Sequence, residues 1–298
     1  MSGPEGLAVI DKPAGWTSHD VVAKARGVLR TKRVGHAGTL DPDATGVLLL
    51  GVGRVTRLLR YLTALPKTYA GEVVLGSATD TLDDSGQVLA EFDMSYVTAE
   101  QAAAAAAAFV GDIWQVPPMV SAVKVGGRRL HELARAGVEV EREARRVRVH
   151  DLSVAPTPDP LVYAIELTCS SGVYVRTIAD DLGRALAGGA HLRRLRRRSI
   201  GSFDLAEACP LDALTADALM TPAEALRDYP SVVVDAGLAR QVGQGAVLSG
   251  EALGAPTLGP VAVLDQHGGL LAVYEPHRDD QWKPSVVLVA SSPPESVG

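Results

Sequence analysis

One aspartate stands in a setting that could do chemistry. Asp41 lies within Gly35-His36-Ala37-Gly38-Thr39-Leu40-Asp41-Pro42-Asp43-Ala44-Thr45-Gly46, a polar stretch with three glycines. Glycine opens backbone conformations closed to other residues. Pro42 has no N–H, fixes its own φ and turns Asp41 away from helix. A carboxylate held on so constrained a loop is placed as a nucleophile or a base would be. The same residues also make an ordinary Asp-Pro turn, and at this point both readings stand.

The surrounding elements must hold that loop. Residues 7–11 read as a short buried strand ending in a Lys12-Pro13-Ala14-Gly15 turn. Ser18 is placed to cap a helix over 19–30. After the Gly35–Gly46 loop comes the apolar run Val47–Leu50, then a helix over 54–62 and a strand over 68–76. Thr98-Ala-Glu-Gln101 is a capping box for an alanine helix over 102–108. Strands follow at 117–125, 145–154 and 161–169, with helices at 128–136 and 177–186. The mixture is irregular, so the fold class is α+β: a mixed or antiparallel central sheet with flanking helices. After residue 226 the texture turns Gly-rich, with β runs at 261–264, 270–274 and 285–289 and one short helix at 236–242. That predicts a domain over 1–226 and a small β domain over 227–298.

Other chemistries lack their motifs. No Walker loop, HExxH or GxSxG occurs, and His131-Glu132 lacks the second histidine of a zinc helix. Cys169 and Cys209 form no metal-ligand spacing and read as buried thiols in a reducing cytoplasm. Gly51-Val-Gly53 has Thr56 where a dinucleotide loop needs its third glycine, so a tight turn explains it better. No stretch is long and apolar enough for a membrane span, and the first residues do not read as a signal peptide.

The net charge of −6 argues against a nucleic-acid partner, but its distribution argues for one. Basic residues cluster at Lys24–Arg33, Arg142–Arg148 and His191–Arg198, while acids gather apart from them, as at Asp80–Asp84. One such run is usually a solvated face; three flanking the aspartate loop suggest a phosphate-binding surface.

The aspartate loop resembles the catalytic motif of the TruB family, bacterial tRNA pseudouridine(55) synthases. The resemblance continues, in the family's order, through Asp11-Lys12-Pro13-Ala-Gly15-Trp-Thr-Ser18, Lys67-Thr68-Tyr69, Gln115-Val-Pro-Pro-Met-Val-Ser-Ala-Val-Lys124, Ser171-Gly-Val-Tyr-Val-Arg176-Thr and Ala190-His-Leu-Arg-Arg-Leu-Arg-Arg197. It covers residues 7–200. Ala37, Asp43, Thr45 and His131 depart from the usual residues of the family; Asp43 sets a second carboxylate near Asp41, an arrangement that raises a pKa.

The resemblance implies an isomerase that converts uridine in the T-arm of tRNA to pseudouridine after flipping the base out. It makes Asp41 the covalent catalyst, by attack on the ribose C1′ or by proton abstraction. Arg176 becomes its ion-pair partner, which would lower its pKa, and Tyr69 the tyrosine that stacks on the base. Tyr174 and Leu195 line the uridine pocket, His36 fills the gap left by the flipped base, and Lys12 positions the loop. Arg193, Arg194 and Arg197 meet the RNA backbone. The reaction is internal to the substrate, so neither cofactor nor metal is implied. The enzyme would act as a cytoplasmic monomer without an obligate protein partner, and its C-terminal β domain resembles a PUA-type RNA-binding module. A rival reading, a tRNA-folding chaperone, would use the same surface without needing Asp41.

Overall fold

The structure is a computed structural model of the chain and describes residues 3–119, 121, 124–125, 128–129, 138, 140–255 and 258–288. Among the described residues, ten strands form one mixed sheet. They are β1 (Gly6–Lys12), β2 (Val34–Ala37), β3 (Thr45–Val52), β4 (Lys67–Leu75), β5 (Gly111–Gln115), β6 (Arg145–Pro156), β7 (Val162–Cys169), β8 (Ala190–Ile200), β9 (Phe203–Asp204) and β10 (Cys209–Pro210). Their order is β10-β1-β3-β8-β4-β7-β6-β5, with β2 beside β3 and β9 beside β8. β1 runs parallel to β10, and β3 parallel to β8; the other pairs are antiparallel.

The apolar run in β3 reflects a strand buried on both faces, because successive side chains point to opposite sides. Val47 and Leu49 enter one apolar cluster, while Leu48, Leu50 and Val52 enter another. β1 divides likewise, with Leu7 and Val9 against Ala8 and Ile10. Helix α1 (Ser18–Val28) covers one face with Val21, Val22 and Ala25. Helix α2 (Leu59–Ala64), entered through a 3-10 turn at Gly53–Leu58, covers the other with Tyr61 and Leu62. Further along the sheet, α3 (Ala99–Ala107) and α4 (Val175–Ala185) cover a third cluster around Val73, Ile165 and Leu192.

Several expectations are corrected. The cap of α1 is Thr17, not Ser18: Asp20 N donates to Thr17 Oγ1 and the Asp20 carboxylate accepts from Thr17 N, a complete capping box. The polar stretch 35–46 is not loop throughout, since Val34–Ala37 pairs with β3. Among the described residues of the strand expected at 117–125, Lys124–Val125 is extended, in a hairpin with Arg128–Arg129, and residues 117–119 and 121 are not. Arg128 and Arg129 are therefore strand rather than helix, and the rest of the helix expected to residue 136, with His131, lies outside the described residues.

A second sheet follows: β11 (Ser231–Val233), β12 (Leu248–Ser249), β13 (Val261–Leu264), β14 (Leu270–Pro276) and β15 (Gln281–Val287), in the order β11-β13-β14-β15-β12. It carries α5 (Ala236–Gly243) and α6 (Gly250–Leu253). One side has its own core around Val242, Val263, Tyr274 and Trp282. From the other, Ala262, Leu270, Val273, Val286 and Leu288 enter the cluster of Leu58, Tyr61, Leu62 and Leu226. Polar contacts bind the same seam: Tyr61 Oη donates to Glu275 at 2.8 Å, and Arg57 Nη1 to the Val287 carbonyl at 2.6 Å.

The small sheet is therefore not a detachable module. Deleting residues 227–298 uncovers that seam, and burial of each large apolar side chain is worth about 1.5–3 kcal/mol. The truncated chain is expected to melt about 10 °C or more below the full chain, or to aggregate. Differential scanning calorimetry would check this, and an unchanged melting temperature would contradict it.

Candidate active site

The loop around Asp41 is held by three buried polar side chains from three elements. β1 ends at Lys12, which is fully buried and turns beneath the loop. Its Nζ donates to the carbonyls of Pro13 at 3.0 Å, Trp16 at 2.6 Å and Pro42 at 2.8 Å. Burial pushes the Lys12 pKa down to about 8, with Asp43 and Asp41 opposing. Ser18, freed from capping, is also buried; its hydroxyl accepts from Leu40 N at 2.9 Å and donates to Leu40 O at 3.3 Å. The residues on both sides of Asp41 are thus fixed.

The third holder is Arg197 on β8. It was expected at an RNA backbone, but it is 0% exposed and cannot reach one. Its guanidinium donates to the carbonyls of Val47 at 2.7 Å, Gly38 at 3.1 Å and Thr39 at 3.4 Å. Gly46 permits this: it has φ +102° and lies beside Arg197 in the parallel β3–β8 pairing. A Cβ there would sit 2.1 Å from the Arg197 carbonyl oxygen. The other arginines of the run are also partnered. Arg193 and Arg194 pair with Glu72, Arg196 with Asp11 and Arg198 with Glu166. On this interior strand Arg197 spends its charge wholly within the fold, while its neighbours share theirs with carboxylates and keep part of their surface open.

Within this frame Asp41 faces Arg176, with 3.0 Å between Oδ2 and Nη2. Arg176 lies in the first turn of α4, and its side chain is only 5% exposed. Gln115 fixes the start of that helix by hydrogen bonds to both backbone groups of Tyr174, at 2.7 and 3.1 Å. Arg176 Nη1 donates to the Thr81 carbonyl at 3.0 Å and lies 3.5 Å from Asp83 Oδ2. Asp83 belongs to the acidic stretch that the sequence seemed to set apart from the basic runs; the fold returns it to the centre. It is pinned there by Asp84 N donating to the Leu192 carbonyl and Leu192 N donating to the Leu82 carbonyl.

The Asp41 carboxyl is 41% exposed towards a cavity and otherwise walled by protein. Burial raises its pKa above the usual aspartate value; Arg176 opposes this and Asp83 adds to it. One expectation changes: the carboxylate that adds to the rise is Asp83, while Asp43 acts on Lys12.

The cavity measures about 720 Å³. Asp41, Asp83, Arg176, His36, Leu195, Arg193 and Arg194 line it; Asp83 was not among the expected site residues. His19, not foreseen, joins them and meets His36 edge to face with 5.4 Å between ring centres. Burial and the neighbouring His19 hold the His36 pKa below its usual value, so the imidazole is neutral at pH 7. Tyr69 lies behind the wall, 8% exposed, where burial raises its pKa and Arg197 opposes through charge and a hydrogen bond. Tyr174 is half-buried and does not line the cavity. Among the described residues, no group of three or more His, Cys, Asp or Glu is arranged to hold a metal, and no helix is long and apolar enough to cross a membrane.

Comparison with known proteins decides the family. Residues 26–175 match the TruB family pseudouridylate synthase N-terminal domain, and residues 176–233 the tRNA pseudouridylate synthase B C-terminal domain. The tRNA pseudouridine synthase B of Symbiobacterium thermophilum is 52% identical over 80% of this chain and 81% of its own length. That of Thermobifida fusca is 43% identical over 96% of this chain and 99% of its own. This chain belongs to the TruB family of pseudouridylate synthases. The fold agrees: a Cbf5-Nop10-Gar1 complex contains a chain that superposes with a TM-score of 0.73 at 24% identity, over 93% of this chain and 80% of that one. The two matched segments meet between Val175 and Arg176, so Asp41 falls in one and Arg176 and Arg197 in the other.

The raised pKa of Asp41 has a consequence for stability. The folded state holds this proton to higher pH than the unfolded chain, so the group's contribution to stability falls as pH rises through the shifted value. The ionised carboxylate is then a net cost near neutrality, and Asp41→Asn removes it. The variant is expected to melt above wild type at about pH 7, with the gap closing towards about pH 4. Thermal melts at both pH values check this; an asparagine variant that melts lower near neutrality contradicts it.

Proposed function

We propose that the protein converts uridine 55 in the T-loop of tRNA to pseudouridine, with Asp41 as the group that starts the reaction. The observation that carries this reading is the Asp41–Arg176 pair at 3.0 Å on the wall of an open cavity. The names of the relatives, tRNA pseudouridine synthase B, support tRNA as the substrate.

The reaction breaks the N1–C1′ bond of the nucleotide, turns the base and joins C5 to C1′. The C5 proton leaves and N1 gains one, so atoms and electrons balance within the substrate and water, and no cofactor is required. Such a step needs an ionised carboxylate at a fixed point beside the ribose. Arg176 favours the ionised form against the burial that opposes it. Whether Asp41 attacks C1′ or abstracts a proton, the position required of it is the same.

The target base must leave its stack to reach the cavity, at a cost of a few kcal/mol. The His19–His36 pair at the cavity wall supplies flat ring surface to occupy the vacated space. Leu195 gives the base an apolar contact. Tyr69 sits one layer back, so stacking on the base would require the wall to open; its role in this reading is to hold Arg197. Lys12 acts through the loop. Arg193 and Arg194 are the guanidinium groups of the third run that face the substrate. The division of labour is a catalytic unit over residues 1–226 and a β unit over 227–298 that extends the RNA-binding surface. The enzyme works in the cytoplasm as a single chain.

Tritium release from C5-labelled uridine in an unmodified tRNA transcript, with the modified position mapped, tests this reading. Wild type should release one tritium per tRNA from position 55, and Asp41→Asn should release none while its tRNA affinity stays within about tenfold. Release by the asparagine variant would refute the catalytic role. A wild type that binds tRNA without release would favour the chaperone reading.

A further inference from the structure

Strand β8 does not run evenly past β4. Arg193 stands opposite Glu72 and Arg196 opposite Ala70, so Arg194 and Leu195 together face Gly71 alone. This is a β-bulge, which re-aims the side chains of the strand that carries it. Arg194 has φ +54°, in the left-handed region that residues with side chains rarely adopt. Gly71 makes the space: a Cβ there would lie 3.3 Å from the Arg193 carbonyl oxygen and 3.5 Å from Leu195 Cα. Both bulge residues line the cavity that holds Asp41.

One carboxylate spans the bulge. Glu72 Oε2 accepts from Arg193 Nε at 2.8 Å and lies 2.7 Å from its Nη2, while Oε1 accepts from Arg194 Nη1 at 3.0 Å. Glu72 is largely covered, with its side chain 21% exposed, whereas that of Arg194 is 72% exposed. For a site that receives a polyanion, a carboxylate here is counterproductive by charge alone, because it repels phosphate and cancels part of two guanidinium charges. Its geometry offers the compensation: each of its oxygens ties one arginine, and Leu195 follows directly after the second.

We propose that Glu72 is a positioning residue, which locks the β8 bulge so that Leu195 bears on the everted base and Arg194 takes the phosphate beside it. The inference rests on the function proposed above and adds a residue that acts on substrate through two others. It makes charge and geometry pull in opposite directions, and that separates it from a surface ion pair. If Glu72 only neutralised surface charge, Glu72→Gln would bind tRNA more tightly and react at the wild-type rate. As a positioning residue, its loss leaves affinity equal or tighter yet slows the reaction.

The experiment is single-turnover tritium release, with tRNA affinity measured over a range of salt, for wild type, Glu72→Gln, Arg194→Ala, the double variant and Gly71→Ala. Glu72→Gln is expected to keep or tighten affinity and to lose about tenfold in rate. The double variant should be no slower than Arg194→Ala by more than about twofold, because the two residues act as a unit. Arg194→Ala should reduce the salt slope by about one phosphate contact. Gly71→Ala, which presses on the bulge without altering a charge, should slow the reaction with an unchanged salt slope, and it stands in should Glu72→Gln fail to fold. A wild-type rate in Glu72→Gln or, where that variant does not fold, in Gly71→Ala, overturns the inference while leaving the function intact. A wild type that releases no tritium overturns the function, and this inference with it.

Discussion

Two buried cations, Lys12 and Arg197, hold the backbone carbonyls around Asp41, and the rest of the site depends on that arrangement. Taking an ammonium and a guanidinium out of water is costly unless their donors are satisfied. Here the carbonyls of Pro13, Trp16 and Pro42 satisfy Lys12, and those of Gly38, Thr39 and Val47 satisfy Arg197. Carbonyl oxygens that point at cations cannot easily rotate away. A stretch rich in glycine, which by itself would be mobile, thereby becomes a fixed mount. The same contacts explain why β3 and β8 run parallel so closely at Gly46, and why the sheet is mixed at the point where the site lies.

The charges on the mount are balanced so that Asp41 is neither ordinary nor inert. Arg176 is shared between Asp41, at 3.0 Å, and Asp83, at 3.5 Å. An arginine given wholly to Asp41 would stabilise the carboxylate and blunt it as a nucleophile or base. Burial leaves the Asp41 pKa above normal; Arg176 opposes this and Asp83 adds to it, so a guanidinium stays beside a carboxylate that it does not fully stabilise. In the function proposed above, this arrangement costs stability and serves reactivity, a common division at catalytic sites.

Much of the fold was legible because it follows from periodicity. The helices over the alanine run and after Tyr174, and the strands around Tyr69 and Val162, lie where alternation and capping put them. The shift from Ser18 to Thr17 as the cap was also readable: Thr17 has an acid three residues on, Asp20, and Ser18 has none. The arginine run was misread because charge density says nothing about whether a strand is central. Only pairing on both sides, by β3 and β4, turned Arg197 inward. Of the residues singled out by the family resemblance, Asp41, Arg176, His36 and Leu195 line one cavity. Asp83 did not announce itself, since its place depends on how the turn after β4 folds back against Leu192, a long-range contact with no local signature.

In the proposed function Asp41 acts from a fixed point and not merely as a negative charge near Arg176. Asp41→Glu tests it most directly, because it keeps the charge and moves the carboxylate by one methylene. A displacement of about 1 Å can cost about a hundredfold in rate. The measurement is single-turnover tritium release at saturating enzyme, with tRNA affinity followed in parallel. The expected rate is at least about a hundredfold below wild type, with affinity unchanged. A glutamate variant that reacts within a few-fold of wild type would contradict it, and would mean that the buried frame serves stability alone.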